Sequence, residues 1–300
     1  MIYTLGESLL DIIITTPDDV VVRPGGAMLN TAVSLGRNNL DVSLITELGD
    51  DDTSKMITSF LADSKVVTNY IKLYNNSNTS LALAFLDDNK KPKYTFIKNY
   101  PKTRKFEQLP EFKEEDILLF GSLYSLDKEI RNSILTIVNN AKKSKSTIIY
   151  DPNIRNAHHL QDQNLIDALM QNIRLSNIIK GSDEDFTNIF GISDTLLQIS
   201  ELRKINNKAL IIITLGADGV IADYRGKLIK LPAVKTKVVS TIGAGDAFNA
   251  GIIFALNSLR KNNYEPEDFM VANLDNILTS GLWFASQVCN SMDNYTNSSS

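Results

Sequence analysis

Short apolar runs punctuate the chain, each closed by glycine or a small polar residue: IYTLG (Ile2–Gly6), VSLITELG (Val42–Gly49), ILLFGS (Ile117–Ser122), TIIYD (Thr147–Asp151), NIIKG (Asn177–Gly181) and ALIIITLG (Ala209–Gly216). Continuous β-branched runs of this length mark strands covered on both faces. Between them, Lys128–Lys142 and Gln163–Leu175 space apolar residues three and four apart, the period of amphipathic helices. Alternation of the two predicts an α/β fold built on a doubly wound, mostly parallel sheet.

Two segments break that rhythm, LLDIIITTPDDVVVRPGG near the start and SLALAFLDDNKKPKYTFIKN at Ser80–Asn99. The second reads as two strands around the polar turn Asp87-Asp88-Asn89-Lys90. Together they predict a small antiparallel β lid, formed by segments about 10–24 and 79–100 and inserted into one domain over residues 1–290. The polar tail, residues 291–300, is expected to fray. No internal repeat interrupts this plan.

With 300 residues, 43% of them hydrophobic, the chain can bury a large core. Its 35 acidic and 31 basic residues are dispersed, so no basic face for nucleic acid or an anionic membrane emerges. The only cysteine, Cys289, excludes an intrachain disulfide and a multi-cysteine metal site, fits a reducing compartment and reads as a small buried residue. The start lacks the basic region and cleavage site of a secretory leader, and no run reaches the roughly 20 apolar residues that cross a bilayer. A cytoplasmic protein with a small-molecule ligand is therefore expected.

Ligands of open parallel sheets sit beyond the carboxyl ends of the strands. Here those ends are rich in glycine, hydroxyls and carboxylates: Gly6-Glu7, Gly49-Asp50-Asp51, Gly121-Ser122, Asp151-Pro152-Asn153, Gly181-Ser182 and Thr214-Leu215-Gly216. Such groups suit phosphate, metal and sugar hydroxyls.

The strongest local signal is STIGAGDAFNAGIIFAL (Ser240–Leu256), a glycine-rich turn leading into an amphipathic helix. Gly243, Ala244 and Gly245 carry so little bulk that an anion can reach main-chain N–H groups where the helix dipole also favours negative charge. Asp246 follows at once, and a carboxylate among donors meant for phosphate makes sense as a base for an attacking hydroxyl. A plain helix cap remains the structural alternative. Gly226-Lys227 continues with Leu228, which excludes a Walker loop, and Phe248 occupies the place of the third glycine in a dinucleotide fingerprint.

In RPGGAMLNTAVSLG (Arg23–Gly36), Gly25 and Gly26 precede a helix carrying Asn30, where backbone and amide can meet a polyhydroxy ligand, or simply turn the chain. Asp11 lies in an apolar segment, where accepting two sugar hydroxyls would relieve an otherwise costly carboxylate; a local turn is the alternative. In TLGADG (Thr214–Gly219), Thr214 can donate to phosphate while Gly216 and Gly219 admit a flat nucleotide, or merely form a hairpin turn.

In this order, the segments resemble the ribokinase-like, or PfkB, carbohydrate kinase family. GGAMLNTA resembles its first signature and STIGAGDAFNAG its second, while DPNIR (Asp151–Arg155) is similar to a form found in fructokinase-like members. The resemblance implies ATP over the large domain and a sugar beneath the lid. It implies Asp246 as base, the amides of Gly243, Ala244 and Gly245 as anion hole, and Asp11, Gly25, Gly26, Asn30, Lys98 and Arg155 as sugar residues. Thr214, Gly216, Gly219 and Ser182 fall to the nucleotide, and Asp185 to Mg2+ through water. Ser182-Asp183-Glu184-Asp185 departs from the family's Asn-x-x-Glu. Ser240 replaces a usual aspartate, so activation by a monovalent cation is not expected. His158 and His159 have no role in the expected chemistry. A homodimer through the lid, a nucleoside or 2-keto-3-deoxy-acid substrate and a non-catalytic sugar sensor remain open.

Overall fold

The apolar runs fold as strands in the computed structural model, which describes every residue except 87–91, 157–159, 161, 261–265 and 298–300. The chain opens with β1 (Ile2–Leu5), β2 (Leu9–Thr16), β3 (Asp19–Gly25), α1 (Ala27–Arg37), β4 (Val42–Gly49) and α2 (Asp52–Asp63). The short strands β5 (Val66–Val67) and β6 (Ile71–Tyr74) precede β7 (Asn78–Leu86) and β8 (Pro92–Asn99). Next come β9 (Ile117–Gly121), a 3-10 turn at Leu123–Leu126, α3 (Arg131–Lys143), β10 (Thr147–Asp151), α4 (Gln163–Leu175) and β11 (Ile178–Ser182). The remainder holds α5 (Asp183–Phe190), α6 (Thr195–Ile205), β12 (Leu210–Thr214), β13 (Val220–Tyr224), β14 (Lys227–Leu231), α7 (Ala244–Arg260) and α8 (Pro266–Cys289).

The large sheet runs β14-β13-β12-β11-β10-β9-β1-β4-β5, with β6 also on β4. Its pairs are parallel except for β12–β13 and β13–β14. Leu29, Val33, Phe248, Ile252 and Leu278 of α1, α7 and α8 cover one face, and Ile134, Ile173, Phe186 and Leu202 of α3–α6 cover the other. Burial on both sides explains why β9, for example, is apolar without alternation. Chain order reverses beside β1, whose neighbours are β4 and β9, so the crevice lies beyond the carboxyl ends there.

The small sheet runs β3-β2-β7-β8. Its hairpins β2–β3 and β7–β8 are antiparallel, but the β2–β7 seam is parallel. Those two strands leave β1 and β6, both parallel to β4, and so set out in the same sense. The turn expected at Asp87–Lys90 and the pair His158 and His159 lie outside the described residues.

The tail does not fray as expected over its described part. Asn294 and Thr296 are buried, Thr296 N donates to Ser34 Oγ at 3.1 Å, and Asn38 Nδ2 donates to Thr296 Oγ1 at 3.0 Å. Tyr295 stacks under the Arg37 guanidinium, 4.4 Å from ring centre to Cζ. Polar residues are held here by donors and acceptors on α1 that composition alone does not reveal. Cys289 is half-buried, and its carbonyl accepts Val239 N at 2.7 Å. Among the described residues no helix is long and apolar enough to cross a membrane.

Candidate active site

Glycine breaks the chain just before α7. Gly243 has φ +82°, and a Cβ there would stand 2.4 Å from the carbonyl oxygen of Asn294, so conformation and the tail both demand glycine. The helix starts at once, with Ala247 N donating to Gly243 O at 2.8 Å. N–H groups of a first helical turn lack intrahelical acceptors and favour an anion. Of the expected cradle, Ala244 N already makes a long 3.3 Å bond to Thr241 O.

Asp246 is 6% exposed, and its Oδ2 accepts Asn30 Nδ2 at 2.8 Å. Burial pushes its pKa up to about 6, while the Asn30 hydrogen bond and the charge of Arg155 pull against the rise. Thr31 Oγ1 donates to the Asp246 carbonyl at 3.0 Å, which fastens α1 to the same turn. Asn30 Oδ1 is buried without a partner, a polar atom suited to a ligand hydroxyl.

Asp11 lies on β2, opposite Arg23 of β3. Its Oδ2 would lie 1.9 Å from any Cβ at Gly25, so the carboxylate fills the space that glycine leaves. Gly26 takes φ +125° over the carbonyl of Glu7 and caps α1. Burial raises the Asp11 pKa to about 6 against the charges of Arg23 and Arg155. Arg155 thus acts on Asp11 and Asp246 alike, though its Nε donates to Asn153 Oδ1 at 3.1 Å. Lys98 is not free at the rim: its ammonium pairs with Glu7 at 2.7 Å, and Tyr100 donates its hydroxyl to Glu7 Oε1 at 2.9 Å.

On the nucleotide side, Thr214 leans on Gly181 O at 3.4 Å. Gly216 has φ +55° with open space where a Cβ would stand. Gly219 has φ +97°, and an ideal Cβ there would stand 2.0 Å from the Leu231 carbonyl, so the hairpin itself demands glycine at this place. Ser182 and Asp185 form a capping box at the start of α5, with Ser182 N and Oγ donating to Asp185 Oδ2 at 2.7 and 2.8 Å. The Ser182 hydroxyl is therefore spent on the cap. Burial and then the nearby Asp151 carboxylate raise the Asp185 pKa. Mutually repelling buried carboxylates are what a divalent cation relieves, and Mg2+ takes few protein oxygens, keeping water and phosphate as its other ligands. Asp185 acting through water fits that chemistry; among the described residues no cluster of three or more metal-type side chains forms a cage.

Two groupings escaped sequence reasoning. Lys180, buried in the middle of β11, donates to Asp151 Oδ2 at 2.9 Å, and Asn249 Nδ2 donates to the same oxygen at 2.7 Å. Glu47, 1% exposed, accepts Arg104 Nη2 at 2.6 Å and the hydroxyls of Tyr74 and Tyr124, both at 2.8 Å.

The pfkB family carbohydrate kinase model matches residues 1–299. A fructokinase of Klebsiella pneumoniae is 31% identical over 258 residues, which cover 85% of this chain and 84% of that protein. Among solved structures, aminoimidazole riboside kinase from Salmonella enterica, complexed with aminoimidazole riboside and an ATP analogue, superposes with a TM-score of 0.84 at 22% identity. That match covers 97% of this chain and 94% of the other. Vibrio cholerae fructokinase, in its fructose, ADP and calcium ion bound form, gives a TM-score of 0.86 at 20% identity, covering 98% and 94% of the two chains.

Proposed function

The chain belongs to the pfkB family of carbohydrate kinases, phosphotransferases acting on a sugar hydroxyl, and from that premise we propose that it phosphorylates a fructose-like sugar with ATP, using Asp246 as base. The observation that carries this reading is the 2.8 Å hydrogen bond from Asn30 to Asp246, which joins the sugar-side helix to the phosphate-side helix. Sugar hydroxyls lie against Asp11 and the unpartnered Asn30 Oδ1, and the charge of Arg155 favours the ionised form of both carboxylates against burial. ATP runs along Thr214 and Gly216 toward the start of α7, whose N–H groups take up charge as the phosphoryl group moves. Asp185 would hold Mg2+ through water, and the ion would supply charge that offsets the phosphates. Asp246 accepts the hydroxyl proton late, and the small sheet keeps water out.

A coupled assay of ADP release over hexoses, pentoses, nucleosides and 2-keto-3-deoxy acids tests the reading. Fructose is expected to be turned over best, in keeping with the two fructokinases named above. Turnover confined to nucleosides or keto acids would replace the substrate, and binding without ADP release would make the chain a sensor.

A second copy is placed on the lid in this reading, because edge strand β3 exposes Val20, Val21 and Val22 by 45%, 41% and 46%. Sedimentation should show a dimer that Val21→Glu splits; a monomeric wild type removes the assignment.

A further inference from the structure

Lys180 has no part in the scheme above, yet it lies against the reacting turn. Parallel pairing sets it there: Ile149 faces Ile178 and Tyr150 faces Ile179, so Asp151 and Lys180 come next, side by side at the carboxyl edge. Besides Asp151, its ammonium donates to the main-chain oxygen of Gly245 at 3.2 Å. A Cβ on Gly245 would stand 3.2 Å from the same nitrogen, so the residue ahead of Asp246 has little room for a side chain. Asn249, farther along α7, holds the same Asp151 oxygen. The first turn of α7 is thereby tied to β10 and β11 through one shared carboxylate.

We propose that Lys180 is a positioning residue for phosphoryl transfer: anchored on Asp151, its ammonium grips the Gly245 carbonyl and so fixes the Gly243–Gly245 amides and the Asp246 carboxylate where phosphoryl group and acceptor hydroxyl meet. The proposal rests on the kinase reading of this site. A purely structural ion pair needs only Asp151; the bond to Gly245 reaches the reacting turn.

The charge acts as well. Facing Asp246 are Asn30 from α1, Asp151 at the end of β10, Arg155 beyond it and Lys180 from β11. Asp185 of α5 in turn faces Lys180. Burial disfavours the ammonium, but Asp151, Asp185 and Asp246 outweigh burial and hold Lys180 above the usual lysine range. Lys180 lowers the Asp246 pKa and Asp151 raises it. Removing Lys180 deletes the first influence and leaves the second opposed only by the Asn30 hydrogen bond and the charge of Arg155, so Asp246 ionises at higher pH.

The test uses the full chain with Lys180→Gln and the double variant Lys180→Gln/Asp151→Asn, the latter removing both buried charges together and so sparing the fold an unpaired one. Lys180→Gln is expected to lower kcat about 10²-fold through misplacement of the turn, with sugar KM nearly unchanged and the acid limb of kcat moved to higher pH. In the double variant the acid limb returns toward wild type, because opposite influences leave together, while kcat stays low for want of the grip on Gly245. Wild-type kcat in either variant overturns the proposal. So does a single variant that loses only folded fraction, its kcat per active site and acid limb unmoved. A wild type that turns over no sugar defeats the kinase reading itself, whereas an active wild type with equally active variants defeats only this inference.

Discussion

Asp246→Asn is expected to lower kcat by about 10²- to 10⁴-fold, with ATP affinity nearly unchanged. The substitution keeps the shape of the side chain and leaves an oxygen to accept Asn30 Nδ2, so α1 and α7 stay joined and the loss falls on proton transfer. A loose transition state asks little of a base until the acceptor bond is nearly made, which favours the lower part of that range. Since burial sets the Asp246 pKa near 6, about nine-tenths of the carboxylate is ionised at neutral pH. A base must be unprotonated, so kcat/KM falls as pH drops through about 6. Asp11 titrates in the same region, and protonating it weakens sugar binding. The acid limb of log kcat/KM in the free enzyme therefore steepens toward a slope of two, while Asp246→Asn leaves only the Asp11 limb. Initial rates of ADP release across pH measure both effects. An Asn variant with wild-type turnover would remove Asp246 from the chemistry.

The parallel sheet was legible because its central strands are buried on both faces and spell apolar runs without alternation, as β9 and β12 do. The turn before α7 was legible because Gly243 must hold a positive φ against a neighbouring backbone, which only glycine does without strain. The bond between Asn30 and Asp246 was not, since 216 positions separate the residues and no local period links them. Lys180 and Asp151 left a signal that went unread: a charge closing each of two apolar runs, TIIYD and NIIKG. In adjacent parallel strands of matched length, terminal charges of opposite sign become neighbours, so strand order together with composition would have found the pair. Gly219 carries two readings, because a glycine needed for a hairpin packed on Leu231 looks, in sequence, like one kept clear for a ligand. The tail misled: Thr296 is polar, yet its bonds to Ser34 of α1 and Asn38 just after it allow burial.

Arg104→Met is expected to cost about 3–5 kcal/mol of stability, because it strands Glu47 in the core. Both side chains are nearly inaccessible, 3% and 0% exposed. Glu47 is buried within β4 ahead of Leu48, and the guanidinium that neutralises it comes from the irregular stretch after β8, which carries no periodicity. Arg104 also bonds Asp127 and lies 4.0 Å from the centre of the Tyr100 ring, whose hydroxyl holds Glu7 at the rim of the site. Against the roughly 5–15 kcal/mol that separates folded from unfolded domains, such a loss is large, and it should lower Tm by about 10 °C. The tyrosine hydroxyls of Tyr74 and Tyr124 still donate to Glu47, but neutral donors do not replace a cation for a desolvated carboxylate. Adding Glu47→Gln should recover most of the stability, since an amide accepts from one tyrosine hydroxyl and donates to the other without burying charge. The stable double variant still lacks the cation beneath Tyr100, so its sugar KM should rise while kcat changes less. Thermal or urea unfolding of the single and double variants decides the matter. A single variant within about 1 kcal/mol of wild type, or a double as unstable as the single, would show that this pair does not hold the lid strand to the sheet.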